Sequence, residues 1–376
     1  MTENKISPRS VLPSMTLDLL RFPLALVILI SHVFSTDGIY VQGEIYSFNH
    51  YPVFMGVNHF INAFLRAQSP PIYFFISGFF FFWGVEWTQI KYIQKLKNRF
   101  NTLFIPYIIW NALTILLLLI TSYMSFSKYS AQEYSITFSW SKIFSCFWMY
   151  GGELGGMDLP EKVFPIDAPL WYVRNLMVVV LCTPVLYLIL RKLRLYFVVF
   201  LGLLWFIISY SSDMVGVKGF ATAFFFFSWG AYLSIHKKDI TNEFGRYFKF
   251  SVILYPLLGI LYVLSIYYYP NVLSAIKYMN IIVGLLFAYN IAVWLLKSGI
   301  CKGSKYLSSA CFFIYVSHCL VCYKLLKLLY VTIHPTSEVT LLLVYIATVV
   351  LTAGLLLGTY YCLHRFSPRL LKTIAR

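Results

Sequence analysis

Long apolar runs alternate along the chain with short polar connections rich in Lys and Arg. Ten of the runs approach the roughly 20 residues that a helix needs to cross a hydrocarbon core. They lie near residues 16–36, 70–87, 102–123, 169–190, 195–211, 219–235, 249–269, 276–296, 308–330 and 339–362. The pattern predicts an all-α polytopic membrane protein of about ten transmembrane helices, organised as one domain over residues 1–376. Outside the spans it leaves an N-terminal tail (1–15), a long outer loop (124–168) and a C-terminal tail (364–376).

Composition supports this reading. Of the 376 residues 60% are hydrophobic and 12% charged, against about 25% charged in a soluble domain. The net charge of +16 does not point to nucleic acid, because the cations sit in the connections. With the N-terminus inside, 20 of the 30 Lys and Arg fall on the cytoplasmic connections, 6 on the outer loops and 4 within spans. That bias favours both termini in the cytoplasm, and a multi-pass location in a bacterial-type inner membrane is expected. The opening "MTENKISPRS" precedes an apolar run as in a signal peptide, but Asp18 and Arg21 interrupt the run and no small-residue cleavage site follows. An uncleaved first span is expected.

Seven cysteines are scattered and form no disulfide framework. Cys319 and Cys322 make a CxxC, but on an apolar helix without a second pair this reads as packing. No metal-ligand spacing, nucleotide-binding glycine loop or internal repeat is apparent, so no metal is expected. The outer segment "FSWSKIFSCFWMYGGELGG" interleaves aromatics with glycine. It is either an interfacial belt or a platform that stacks on a sugar.

The candidate chemistry begins in "LDLLRFPLALVILISHVF". An ionisable group at membrane depth costs several kcal/mol unless it has a partner or faces a wet cavity. Arg21 and His32 are eleven residues apart, so on a helix they project about 20° apart and are separated by roughly 16 Å along the axis. Either alone has an ordinary explanation, Arg21 snorkelling to the interface and His32 meeting a neighbouring hydroxyl. Together on one face they suggest a site. Other spans bring further polar groups: Ser77 in "YFFISGFFFF", Trp171 and Arg174 in "APLWYVRNLMVVV", and Tyr315 with His318 at i, i+3 in "FFIYVSHCL". A basic stretch holding Lys97 and Arg99 precedes the third span, where a phosphate-rich donor would meet positive charge.

These segments resemble, in order and over Leu17 to roughly His364, the membrane-bound acyltransferase type 3 family. The resemblance rests on the Arg-ten-His spacing at Arg21 and His32, "FFISGF" around Ser77, "RFNTLFIPYIIW" around Arg99, "PLWYVRNL" around Trp171 and Arg174, and "FFIYVSH" around Tyr315 and His318. It implies an integral membrane O-acyltransferase using cytoplasmic acyl-CoA, with acetyl-CoA the default donor. The acceptor would be a hydroxyl of an extracytoplasmic or lipid-linked glycan, so the process would be polysaccharide modification by O-acetylation.

On this reading His32 and Arg21 are catalytic, Ser77, Trp171, Arg174, Tyr315 and His318 bind substrate, and Arg21, Lys97 and Arg99 hold the donor. Direct transfer and a transient acyl-histidine both remain open. Asn175 stands where many relatives carry an acid, which leaves Arg174 to bind substrate or to use Asp167. The chain ends about a dozen residues past its last span, where some relatives append an esterase-like domain. Transfer is then expected to be completed by the membrane core or with a separate partner. The rival reading is a transporter or flippase of a glycolipid or polysaccharide precursor, which would also carry mid-membrane charge. A scaffold or sensor is the third. The bilayer and the glycan acceptor are the partners implied, nucleic acid is not expected, and the sequence is silent on oligomeric state and on the need for a separate partner.

Overall fold

The computed structural model describes residues 8–34, 38–41, 44–123, 140–149, 163–212, 214–268 and 272–375. The part of the outer loop that includes "YGGELGG" lies outside the described residues.

Each of the ten apolar segments falls on a helix, but the helices differ in kind. Six are long and apolar enough to cross a membrane: Leu12–Val33, Gln89–Ile120, Phe248–Ser265, Leu273–Lys297, Lys305–Ile333 and Glu338–Phe366. The segment read as one straight span near 169–190 is two helices, α7 (Trp171–Leu181) and α8 (Thr183–Leu193), bent by 65°. Pro184 in the first turn of α8 supplies no backbone N–H to continue the ladder of α7. Counted as one span, the pair makes a seventh.

Three helices fall short of that test by themselves. These are α3 (Ser69–Phe82), α9 (Leu195–Ser211) and α10 (Val215–Ile235), the last diluted by Lys218 and small or polar residues. About ten crossings is therefore more than length and hydropathy demonstrate. The exposed large side chains are the apolar ones expected at lipid, such as Leu203 and Ile207 of α9 and Val350 and Leu351 on the last long helix. This is a multi-pass membrane protein.

The first long connection is more ordered than a loop. It contains an antiparallel hairpin, β1 (Gly38–Val41) with β2 (Glu44–Ser47), then α2 (Pro52–His59). A π-helical turn (Phe60–Leu65) and a 3-10 turn (Arg66–Gln68) follow and lead into α3. Phe48, Phe54 and Tyr345 pack edge to face beneath the hairpin.

Caps mark where other helices begin. Ser304 accepts from the Leu307 N–H ahead of α14 (Lys305–Ile333), and Ser337 with Thr340 forms a reciprocal capping box ahead of α15 (Glu338–Phe366). The amphipathic connection after α3 forms α4 (Gln89–Arg99), which runs through a π turn into α5 (Ile105–Tyr123). The final short helix α16 (Pro368–Ile374) is tied to α5 by Trp110, whose indole N–H donates to the Ile374 carbonyl at 2.8 Å.

The centre of the bundle is the crossing of α3 on α10. A β-carbon on Gly78 would overlap the Phe227 carbonyl, and one on Gly230 would overlap the Phe75 carbonyl. The two glycines thus let the two backbones touch, as small residues do between membrane helices. Helix α1 (Pro8–Val33) packs alongside α14 and α13 (Leu273–Lys297).

Candidate active site

One cavity of about 630 Å³ lies within the bundle between α1, α3, α7 and α14, within the range that accommodates a substantial organic ligand. Arg21 and His32 both line it. So do Arg99, Ser77, Trp171 and Tyr315. Lys97 is exposed and is not among the lining residues, while Arg174 and His318 stand behind the wall.

The end of the cavity near the chain termini is basic. Arg21 and Arg99 are joined there by His364 and by Lys372 of α16. Arg21 is ion-paired with Asp18 at 3.1 Å and lies over the Phe80 ring at 5.2 Å, with both charged side chains still partly exposed. An ion pair of that exposure holds the guanidinium loosely, and the arginine keeps donors for a second anion. The Tyr73 hydroxyl donates to the Arg21 carbonyl at 2.5 Å and ties α3 to α1 at this level.

Three turns further along α1, the environment of His32 changes. Its Nδ1 lies 3.3 Å from the Tyr323 hydroxyl, and its ring centroid is 5.0 Å from that of His318. The Nδ1 of His318 faces the carbonyls of Tyr315 at 2.7 Å and Ile314 at 3.1 Å. Those acceptors assign the proton to Nδ1 and leave a lone pair on Nε2. The His318 Nε2 is buried without a hydrogen-bond partner among the described residues.

A ring of hydroxyls and aromatic faces completes the wall. Ser77 Oγ is 3.0 Å from the Tyr172 hydroxyl, and Tyr172 packs edge to face on Tyr315 at 5.9 Å. Tyr315 donates its hydroxyl to the Pro169 carbonyl, which anchors α14 to the turn before α7.

Arg174 does different work. Its guanidinium donates to the carbonyls of Trp148 at 2.6 Å and Val163 at 2.8 Å, and its Nε to Asn175 Oδ1 at 3.1 Å. It also lies over the Trp148 ring at 5.2 Å. These bonds staple the chain on either side of residues 150–162 to α7. The Ile166 N–H donates to the Cys146 carbonyl at 2.7 Å, and Tyr107 donates to the Phe147 carbonyl. The described hydrogen bonds of Arg174 go to this segment and to Asn175, not to Asp167. Asp167, just ahead of the bent span, is 3% exposed, and its Oδ2 lacks a partner among the described residues. Burial pushes its carboxyl up to about 8.

Several lining residues were not singled out in the sequence. Arg66, Tyr73, Tyr172 and Lys372 all reach the cavity. Tyr172 lies inside a quoted motif, between Trp171 and Arg174, and helical spacing could have found it. Arg66 and Lys372 read in the sequence only as loop charges, and nothing local distinguishes them from the others.

The acyltransferase domain model of the acyltransferase type 3 family matches residues 16–360. No curated protein and no solved structure matches the chain. The match covers nearly the whole bundle, including every element that lines the cavity except α16 and the end of α15, and the chain belongs to the acyltransferase type 3 family of membrane O-acyltransferases.

Proposed function

We propose that this enzyme moves an acyl group, acetyl by default, from cytoplasmic acyl-CoA to a hydroxyl of an extracytoplasmic or lipid-linked glycan. The observation that carries the proposal is that one and the same cavity is lined at one end by Arg21 and Arg99 and, about 16 Å further along α1, by His32. A phosphate-bearing carrier and a base are the two things such a transfer must bring together.

In this reading the donor's phosphates meet Arg21, Arg99 and Lys372 at the terminal end, which is the cytoplasmic one by the distribution of Lys and Arg. Lys97, exposed outside the cavity, adds to the field that attracts the donor. The pantetheine arm lies along the cavity, with its thioester near His32. The acceptor comes from the opposite end, its ring against Trp171, Tyr172 and Tyr315.

His32 takes the acceptor's hydroxyl proton as the oxygen attacks the thioester carbon. The C–O bond forms, the C–S bond breaks, and the proton passes from the imidazolium to the departing CoA sulfur. The Ser77 and Tyr172 hydroxyls and Arg66 line the space where charge develops on the carbonyl oxygen and can donate to it. His318 holds His32 in place from behind, and Arg174 keeps the outer segment against the bundle.

The test is transfer of label from acyl-CoA to membrane-extracted glycan. His32→Ala is expected to lower the rate by about 10²–10⁴-fold, the usual worth of a general base, with abundance and membrane insertion unchanged. An active His32→Ala protein removes His32 from the mechanism. A wild-type protein that moves glycan across the bilayer without acquiring label would favour the transporter reading, which the family match disfavours.

A further inference from the structure

We infer that His32, His318 and Cys319 form a binding site for a thiophilic transition-metal ion, zinc in the first instance, and that the bound ion reversibly inhibits the enzyme. One nitrogen from each histidine and the Cys319 sulfur lie within 4.8 Å of one another. Two imidazoles and a thiol are a donor set that zinc prefers. In a four-coordinate zinc site those atoms would be about 3.3 to 3.5 Å apart, from Zn–N near 2.0 Å and Zn–S near 2.3 Å. Side-chain rotations that draw them together by about 1 Å would close the site.

A second observation points the same way. His318 is 1% exposed, and its Nδ1 is taken by two main-chain carbonyls while its Nε2 has no partner among the described residues. A ring nitrogen oriented in this way by a carbonyl on its opposite side is how metal-bound histidines are commonly held. His32 lines the cavity, so an ion can reach the cluster from solution. Zinc with these three ligands keeps a fourth position for water. Arg66 lies within electrostatic reach of both His32 and Cys319. Its charge opposes a bare divalent ion, which suits reversible occupancy better than a permanent structural ion.

Inhibition, unlike binding, rests on the proposed role of His32. Zinc coordination uses the imidazole lone pair that would otherwise accept the acceptor's proton. Binding and inhibition are therefore read separately, on the full-length protein in detergent.

With cobalt(II) as the probe, the wild type should develop a near-ultraviolet thiolate-to-metal band and the visible bands of a four-coordinate ion, both displaced by zinc. Cys319→Ser should lose the thiolate band and bind at least about tenfold more weakly, the lower bound for disturbing a metal site. Cys322→Ser should keep it. His318→Gln, read for binding alone, should weaken cobalt similarly even if the serine variant folds poorly. In transfer assays Cys319→Ser should work at the wild-type rate without zinc and need at least about tenfold more zinc for half-inhibition.

A thiolate band that survives in Cys319→Ser, or no band in the wild type, overturns the site. Cobalt bound through Cys319 while zinc leaves transfer untouched upholds the site, overturns the inhibition, and counts against His32 as the base.

Discussion

Replacing Gly78 by alanine tests the packing that positions the cavity. The added methyl would fall on the Phe227 carbonyl of α10, closer than any real β-carbon contact, and backbone cannot swing aside as a side chain can. Helices α3 and α10 must then separate by about 1 Å, and overpacking of this kind costs about 1–3 kcal/mol. Helix propensity acts in the opposite direction, since alanine is favoured over glycine by about 1 kcal/mol. A net loss of stability is expected because backbone overlap admits no local relief.

The displacement has a functional side as well. Ser77 is the neighbouring residue, and its Oγ is 3.0 Å from the Tyr172 hydroxyl. A shift of about 1 Å in a group that positions substrate can lower a rate by about 10²-fold. The assay pairs thermal unfolding followed by tryptophan fluorescence with label transfer from acyl-CoA. Gly354→Ala and Gly358→Ala on α15 serve as controls, because nothing lies within 4 Å of a β-carbon at either position. The controls should melt at or above the wild-type temperature, and Gly78→Ala below it by a few degrees with reduced transfer. If Gly78→Ala melts and transfers like the wild type, α3 and α10 are not in backbone contact and the geometry around Ser77 must be revised.

Two further outcomes follow from named groups. Asp167 has its carboxyl raised to about 8 by burial, against about 3.9 in the unfolded chain. The folded state therefore binds the extra proton between about pH 4 and 8, so this group's contribution to stability is largest below pH 4 and is lost as pH rises through that window. Asp167→Asn should flatten the decline, its melting temperature gaining on the wild type from pH 5 to pH 8, and parallel curves would show that Asp167 does not titrate there. Arg99→Gln removes a guanidinium assigned to the donor's phosphates. A charge-assisted hydrogen bond is worth about 1.5–3 kcal/mol, so KM for acyl-CoA should rise by about 10- to 100-fold, while an acyl-pantetheine thioester lacking the nucleotide should be little affected. An equal loss with both donors would place Arg99 elsewhere in the mechanism.

What the sequence determined by itself is what one helix can reveal about itself. Twenty-residue apolar runs identify helices without reference to neighbours, because each must satisfy its own backbone in lipid. The period of 3.6 likewise put Arg21 and His32 on one face of α1 before any partner was known. Even so, the bend at Cys182 was invisible to hydropathy, because a proline in the first turn of α8 barely alters a window average.

The tertiary structure decided which faces meet. It turned Arg174 onto the carbonyls of Trp148 and Val163, outside the cavity lining, and it brought Arg66 and Lys372 into that lining from opposite ends of the chain. It also set His32 beside His318 and Cys319, residues 286 and 287 positions later, so that a donor set with no spacing signature appeared between two helices. The reason is that contacts across helices depend on crossing geometry, here on two glycines that let α3 lie against α10. Neither hydropathy nor local spacing carries that information.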